Sequence, residues 1–228
     1  MDLNELNKIV QILKNKRKLF HSESDFQHSL AFLISKKKHA IRLEKPIYLY
    51  NKSNKKNDYE KIELDILANN ETAIELKYKT RCLNPKNEKK FEMFGEEYQI
   101  SNHAAQNLAR YDFFKDINRI SKLINEKKVK NGFVIFLTND HLYFKNELKG
   151  DKNMSQDFCM SLDRKIVRKG KQLNWRGYKD KNDLQNSVSK KRITPIELKK
   201  DIKLNWQQYS TIPHAKKANT FKYLIVEV

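Results

Sequence analysis

Cysteine, glycine and proline are all scarce in this sequence of 228 residues, which holds two cysteines, five glycines and four prolines. Cys82 and Cys159 stand alone, outside any CxxC pair. This spacing excludes a disulfide framework or a cysteine-based zinc cluster, and it predicts a reducing compartment with buried or inert thiols. Because glycine and proline are few and 39% of the residues are hydrophobic, a linker or a disordered tail is also excluded.

The sequence also lacks a long hydrophobic run. No apolar stretch approaches the roughly 20 residues that a helix needs to span a bilayer. Residues 1–6 show no basic segment followed by an apolar one, so no secretory signal is predicted. The six histidines form neither an HxxxH nor an HExxH arrangement, which excludes the usual two-histidine zinc motif. We therefore expect a cytoplasmic protein with no membrane partner.

Acidic residues are outnumbered by basic ones. The chain has 47 Lys and Arg against 28 Asp and Glu, a formal net charge of +19 and a pI near 9.7. Such a field attracts polyanions, of which nucleic acid is the commonest in a cell. Nine of the 47 are arginine, and lysines alternate with asparagines in runs such as 51–57, a mixture that an AT-rich coding bias would also produce. The charge favours a nucleic-acid partner, with coding bias as the alternative explanation.

Hydrophobic periodicity predicts a chain that mixes helices and strands. The predicted helices are 2–20, 22–39 and 101–127, and the predicted strands are 41–50, 59–68, 72–78, 132–137 and 221–228. Residues 81–95 are expected to be a connection, and 146–195 are polar and broken. The order helix, three-strand meander, helix, strand is that of an α/β core. We expect one domain over 1–228, with a core at about 20–145 and a C-terminal elaboration at 146–228.

Local patterns add three expectations. Ser22 with Asp25 three places on has the form of a capping box at the start of the second helix. Pro46 predicts an edge position or a bulge for the first strand, because proline cannot donate a ladder hydrogen bond. Helical spacing predicts salt bridges across the surface of the long helix. The residues of this last set are Asp112, Lys115, Asp116 and Arg119.

Charged side chains concentrate on the second and third predicted strands. In the segment 62–66, alternation places Glu63 and Asp65 on one face and the three apolar residues on the other. Nine residues after Asp65 come Glu75, Leu76 and Lys77, and the same alternation places Glu75 and Lys77 on a shared face. Glu63 is interpreted as a surface neighbour of the other three charged residues.

A turn between these strands would bring their charges together. If Asn69 and Asn70 form a hairpin turn, Asp65, Glu75 and Lys77 converge on one patch. Two carboxylates beside an ammonium suit a hard divalent cation. Such a cation lowers the pKa of a bound water and stabilises charge on a phosphoryl oxygen, while the lysine can orient or deprotonate the water. The alternative is a solvated sheet face with cross-strand ion pairs.

The pattern Asp65-X9-Glu75-X-Lys77, after a helix and two further strands, resembles the PD-(D/E)XK nuclease superfamily. The resemblance implies a restriction-endonuclease-like α/β core, with a central mixed β-sheet flanked by helices. It also implies that Asp65, Glu75 and the backbone carbonyl of Leu76 bind Mg²⁺, for which Mn²⁺ can substitute, and that Lys77 is the catalytic lysine. Leu64 stands where the family motif has its proline.

The resemblance extends to the two neighbouring helices. Many members carry an acid on the preceding helix and a glutamine on the helix after the third strand, which implies catalytic roles for Glu23 and Gln106. Arg110, one turn beyond Gln106, would then contact the nucleic acid. The likeness covers about residues 20–145 and is to a bacterial branch of the superfamily. Two alternatives remain: the helix dipole alone favours Glu23 at its position, and Gln106 with Arg110 could form an exposed flank.

The implied activity is that of an endonuclease, a hydrolase that cleaves phosphodiester bonds in DNA with Mg²⁺. By analogy with the family, the resemblance also implies a role in restriction or phage defence and a homodimer that cuts both strands. Three alternatives stay open: a non-catalytic nucleic-acid-binding module on the same fold, an RNA-cleaving effector, and a basic interaction protein without nuclease ancestry. The intact Asp65, Glu75 and Lys77 argue against the first of these.

Overall fold

The computed structural model describes residues 1–50, 59–84, 89–93, 95–145, 154–178, 181–188 and 190–228. The helices are α1 (Leu3–Lys16), α2 (Glu23–Lys36), α3 (Gln106–Asn125) and α4 (Lys181–Val188). The longer strands are β1 (Ile41–Tyr50), β2 (Tyr59–Ala68), β3 (Thr72–Lys79), β6 (Asn131–Thr138), β11 (Gln207–Thr211) and β12 (Thr220–Glu227). The shorter strands are β4 (Lys90–Met93), β5 (Glu96–Gln99), β7 (Ile166–Val167), β8 (Gln172–Leu173), β9 (Ile196–Glu197) and β10 (Ile202–Lys203). The lysine- and asparagine-rich run 51–57 lies outside the described residues.

A six-stranded mixed sheet forms the centre of the fold, in the order β1-β2-β3-β6-β12-β11. The neighbouring strands are antiparallel except for β3 and β6, which are parallel because α3 carries the chain back across the sheet between them. Helices α1 and α2 cover one face, where they pack on Ile74, Leu76 and Ile135. Helix α3 covers the other face. The predicted mixed α/β class, with a central sheet flanked by helices, is confirmed.

The three-strand meander forms as predicted. Strands β1 and β2 have the bounds that alternation gave them, and β1, which contains Pro46, is an edge strand. Asn69 and Asn70 adopt left-handed φ values of 53° and 57°, and the Glu71 N–H donates to the Ala68 carbonyl oxygen at 2.9 Å, so both asparagines lie in the hairpin turn. Because Ala68 pairs with Thr72, the loop holds three residues. The meander therefore contains the β2–β3 hairpin on which the predicted site depends.

Two boundaries differ from the prediction. The interpretation of 81–95 as a connection was wrong, because β4 and β5 form an antiparallel hairpin in which Phe91, Met93 and Tyr98 are buried. Helix α3 begins at Gln106 rather than near residue 101. Its N-cap, Ala105, has a φ of 60°, and an alanine side chain cannot accept the usual capping hydrogen bond.

The C-terminal segment contributes to the same sheet. Strand β12, which the sequence analysis assigned to the elaboration at 146–228, lies between β6 and β11. Phe158 and Trp175 pack on Tyr111 of α3, with ring centroids 5.2 and 5.5 Å away from its ring. Among the described residues, no helix is both long enough and apolar enough to cross a membrane.

Candidate active site

Asp65 lies where the β2–β3 ladder ends. The paired residues run from the turn to Ile66 and Ile74, and no further. Beyond this pair Asp65 Oδ2 accepts the backbone N–H of Leu76 at 2.5 Å. The Asp65 carboxylate thus accepts a backbone N–H that would otherwise bond to the neighbouring strand. This bond holds the carboxylate between β2 and β3.

The alternation of β2 inverts at Asp65. Ile62 and Leu64 pack on the α3 face, whereas Ile66 packs on the α1–α2 face. Alternation predicted one shared face for all three, and this was wrong for Ile66. Opposite Asp65, Glu44 has a φ of 49°, so the neighbouring strand β1 turns over at the same place and its register is kept.

Gln27 of α2 stabilises this inversion. Its Nε2 donates to the Asp65 carbonyl oxygen at 2.7 Å and to Glu44 Oε1 at 2.6 Å. The Gln27 side chain is buried. Sequence reasoning missed this residue, although a signal exists: Gln27 lies three and seven places before Leu30 and Ile34, so it occupies the apolar stripe of the helix.

Glu75 and Lys77 point from β3 towards α3, where they meet a buried ion network. Lys77 Nζ lies 2.7 Å from Asp116 Oδ2, and Arg119 Nη1 donates to Asp116 Oδ1 at 2.9 Å. Arg119 Nη1 also lies 3.7 Å from Glu75 Oε1. Asp116 and Glu75 are almost fully buried. The network therefore links both predicted β3 residues to two residues of α3.

This network corrects the prediction of surface salt bridges along α3. The Asp116–Arg119 pair forms, but it faces the sheet. Asp112 instead pairs with Arg192, which is 80 positions away in sequence. Lys115 donates to a main-chain oxygen in the C-terminal segment. Helical spacing alone does not reveal which polar residues face the sheet, so Asp116 and Arg119 were not predicted as site residues.

Two carboxylate oxygens of the site, Glu75 Oε1 and Asp116 Oδ2, are buried without a hydrogen bond among the described residues. Asp116 Oδ2 has Lys77 Nζ at 2.7 Å as its ion-pair partner. Glu75 Oε1 is buried and has no hydrogen-bond donor among the residues that the structure describes. Arg119, at 3.7 Å, supplies charge at a distance beyond that of a hydrogen bond. Lys77 Nζ donates instead to the Leu76 carbonyl oxygen at 3.0 Å. A buried unsatisfied oxygen is costly, which marks the position of Glu75 Oε1 as a candidate ligand site.

Burial shifts the ionisation of all three predicted residues. It raises the pKa of Asp65 to about 6, against the lowering effects of Lys77 and of the Leu76 N–H. Burial, with the charges of Asp116 and Asp65, raises the pKa of Glu75 well above its usual range. Burial would lower the pKa of Lys77, but the carboxylates of Asp116 and Glu75 outweigh this effect and raise it. Lys77 is therefore an ammonium at neutral pH, and a bound cation would favour the ionised form of both acids.

Glu23 is brought to the edge of the same site. It is the first residue of α2, after the N-cap Ser22, whose Oγ accepts the N–H of Asp25 at 3.1 Å as in the predicted capping box. The Asp25 side chain accepts the N–H of His21 at 2.9 Å, one residue before the N-cap that the capping box would use. Glu23 Oε2 accepts the N–H of Tyr78 at 2.6 Å. This bond ties the start of α2 to β3, one residue beyond Lys77, whose pKa the Glu23 charge also raises.

Gln106 and Arg110 lie with the residues that follow β6. Gln106 Nε2 donates to Asp140 Oδ2 at 2.9 Å. Arg110 is buried, donates to the Leu142 carbonyl oxygen at 2.5 Å and stacks over the ring of Tyr143. Because the Arg110 guanidinium is engaged inside the protein, we leave it out of the proposed nucleic-acid contacts.

The site offers oxygen ligands of the kind that a hard cation prefers. Within the described ranges, no group of three His, Cys, Asp or Glu side chains could hold a metal ion. Mg²⁺ commonly uses fewer protein ligands, since it keeps several waters and binds through one or two carboxylates and the substrate phosphates. The Asp65 and Glu75 carboxylates and the Leu76 carbonyl provide such a set, and the unsatisfied Glu75 Oε1 can accept a cation.

The chain was compared with models of protein families, with curated proteins and with solved structures. None of these comparisons gave a match. What the protein does is therefore inferred from the residues of the site.

Proposed function

We propose that this protein is a nuclease that uses a divalent cation to hydrolyse phosphodiester bonds, with Asp65, Glu75 and Lys77 at its centre. The observation that carries the proposal is the convergence of these residues at the end of the β2–β3 ladder, where the buried Glu75 Oε1 lacks a hydrogen-bond donor among the described residues. Strong pKa shifts with a specific charge partner are typical of functional sites.

Asp65, Glu75 and the Leu76 carbonyl would hold Mg²⁺, with Mn²⁺ as a substitute. When bound, the cation would lower the pKa of a water and stabilise negative charge on a phosphoryl oxygen. Lys77 stays protonated beside Asp116, so it orients a water or donates to a phosphate oxygen, and it does not remove a proton. Of the two roles that the sequence allowed for Lys77, its environment favours the orienting one.

Glu23 and Gln106 support the site from two sides. Glu23 anchors the start of α2 on β3 through the Tyr78 N–H and adds negative charge near Lys77. Gln106 bonds Asp140, which also pairs with Arg81 at 3.0 Å. We assign both residues positioning roles, since Glu23 bonds the backbone of β3 directly and Gln106 bonds the partner of Arg81, which lies two residues after β3.

The substrate is a nucleic acid on this proposal. The net charge of +19 favours a polyanion. A cavity of about 150 Å³ beside Arg119 adds a local basic surface, lined by Lys115, Lys122 and Lys191. DNA in preference to RNA, a role in restriction or phage defence, and a homodimer follow from the family resemblance alone. The cytoplasm as compartment follows from the isolated cysteines.

Cleavage assays test the proposal directly. Purified protein would be incubated with plasmid DNA, linear DNA and RNA in Mg²⁺, Mn²⁺ or EDTA, beside Asp65→Asn, Lys77→Met and Glu63→Gln. Glu63 is an exposed acid two residues from Asp65 and serves as the matched control. We expect cation-dependent cleavage, reduced at least about a hundredfold in the first two variants, as for residues that act in the transition state, and retained in Glu63→Gln.

Other outcomes would redirect the proposal. Full cleavage by Asp65→Asn or Lys77→Met would place the catalytic centre elsewhere. Absence of cleavage together with salt-sensitive binding of nucleic acid would favour the non-catalytic module. Absence of both would favour the basic interaction protein.

A further inference from the structure

Arg119 lies between the buried site and a basic cavity. Its Nη1 lies 3.7 Å from Glu75 Oε1 and 2.9 Å from Asp116 Oδ1, and its Nη2 donates to the Glu63 carbonyl oxygen at 3.3 Å. About a fifth of the side chain, 22%, is exposed. The same side chain lines the cavity of about 150 Å³. The one side chain of Arg119 therefore borders both the site and the cavity.

The charge of Arg119 favours the ionised form of Glu75, although the guanidinium donates no hydrogen bond to Glu75 Oε1. Charged hydrogen bonds between guanidinium and carboxylate are typically about 2.7–2.9 Å long, whereas this pair is at 3.7 Å and Glu75 Oε1 has no hydrogen-bond donor in the described part of the chain. Mg²⁺ contacts its oxygen ligands at about 2.0–2.1 Å. The guanidinium is thus a weaker partner than the cation that the site would hold.

The cavity offers Arg119 a second position only if an anion is present. Lysines contribute most of the charge around it: Lys115, Lys122 and Lys191, with Glu60 as the acid. Lys122 Nζ already pairs with Glu60 at 2.8 Å. A guanidinium that entered this cavity would meet like charges, and a phosphate group would remove that repulsion and accept a bidentate bond from the arginine.

We propose that Arg119 is a displaceable counter-ion of Glu75, through which a divalent cation at Glu75 and a phosphate group in the lysine-lined cavity bind cooperatively. The inference rests on the cation site of the proposed function. A cation bound at Glu75 repels the guanidinium, and a phosphate in the cavity attracts it. Each ligand therefore favours the state that the other prefers, and the coupling is reciprocal.

Calorimetric titration of Mn²⁺, with and without dimethyl phosphate, tests this coupling. In the wild type we expect dimethyl phosphate to increase the Mn²⁺ affinity several-fold. Arg119→Gln should bind Mn²⁺ about tenfold more tightly than the wild type without phosphate, a factor typical of coupled sites, and should no longer respond to dimethyl phosphate.

Two further variants separate the charge of Arg119 from its phosphate contact. Arg119→Lys keeps the charge but not the bidentate geometry, so its Mn²⁺ affinity should match the wild type while its phosphate response weakens. Lys115→Gln alters the cavity and leaves the Glu75 partner in place, so it should also keep the Mn²⁺ affinity and lose phosphate response. These two variants carry the test if Arg119→Gln does not fold.

The contrary results are distinct from one another. Wild-type Mn²⁺ affinity in Arg119→Gln, or an undiminished phosphate response in that variant, would overturn the coupling through Arg119 and leave the cation site standing. If folded wild type and Arg119→Gln both fail to bind Mn²⁺, the cation site of the proposed function is itself wrong.

Discussion

The carboxyl group of Asp65 is surrounded by other charged groups from three elements. Glu23 lies on α2, Glu75 and Lys77 on β3, and Asp116 on α3. Burial dominates this balance and raises the pKa of Asp65 from 3.8 to about 6. The folded protein therefore binds a proton at Asp65 more readily than the unfolded chain does.

The sign of this shift gives a prediction for stability without metal. Between pH 3.8 and about 6, the folded state holds a proton that the unfolded state has lost, so the free energy of unfolding falls as pH rises. A shift of this size corresponds to up to about 3 kcal/mol. Urea denaturation in EDTA from pH 4 to 7 should show the fall, and Asp65→Asn should flatten it in part, because the pKa of Glu75 is also raised.

Glu63→Gln provides the comparison, since Glu63 is exposed on the same strand. An equal dependence on pH in Asp65→Asn and in the wild type would show that the Asp65 carboxyl is not shifted. A restored stability at pH 7 on addition of Mn²⁺ to the wild type, and not to Asp65→Asn, would be the mass-action effect of a ligand on the folded state.

Single residues of the site differ in how far the sequence predicts them. Asp65, Glu75 and Lys77 follow from alternation, because the β2–β3 hairpin turn was readable at Asn69 and Asn70. Asp116 was not predicted as a site residue, because a charged residue on a helix is expected to be exposed to solvent unless the position of the neighbouring sheet is known. In the structure it is buried. The ion network is a tertiary property that local spacing does not contain.

At the scale of elements, α3 and the sheet approach each other closely at Gly132 in β6. A Cβ built there would lie 2.4 Å from Ile120 Cγ2 and 2.9 Å from the Ala73 carbonyl oxygen. Both distances are below normal van der Waals contact. Glycine at this position lets α3 sit against β3 and β6. Arg119 is the neighbour of Ile120 in sequence, and Glu75 lies two residues after Ala73.

Gly132→Ala should therefore separate α3 from the sheet. We expect a loss of about 1–3 kcal/mol in the free energy of unfolding, the usual cost of overpacking a core. The double variant with Ile120→Ala should lose less than the sum of the two single variants, because the second change removes one of the two clashes. Urea denaturation of the four proteins of this cycle measures the coupling, and strict additivity would contradict the contact.

The turnover of β1 and β2 shows why some element geometry was not predictable. Both strands invert at Glu44 and Asp65 while their pairing continues on either side. Because the register does not change, no residue is inserted or lost, and the sequence pattern predicts the bounds of the strands without revealing the change of face. The three-strand meander was therefore predicted correctly although the face of Ile66 was not.

For the whole molecule, the part of the fold that local pattern determines was predictable and the rest was not. The meander, α3 and β6 carry long, clear periodicity. The C-terminal segment has strands of two residues, such as β7 and β10, which give no alternation to read. Its aromatic residues nevertheless complete the core on α3. Such a segment is ordered by the surface on which it packs, and sequence periodicity cannot predict that surface.

On the proposed function, the net charge of +19 gives a prediction for the salt dependence of nucleic-acid binding. The logarithm of the binding constant should fall linearly with the logarithm of salt concentration, with a slope of about −0.9 for each DNA phosphate neutralised. Binding would be measured by fluorescence anisotropy with Asp65→Asn in EDTA, where cleavage is suppressed. If Lys115 and Lys191 contact phosphates, replacing both by glutamine should reduce the slope by about 2.

Lys130 supplies the matched control, because it is exposed, pairs with Glu71 and lies just before β6 rather than at the cavity. Lys130→Gln should leave the slope unchanged, since a lysine outside the path of the strand releases no counter-ion on binding. An equal reduction for Lys130→Gln and for the cavity lysines would mean that the charge acts as a diffuse field with no defined path. Affinity that does not change with salt would remove charge as a basis for recognition, and Asp65, Glu75 and Lys77 would then require a partner other than a polyanion.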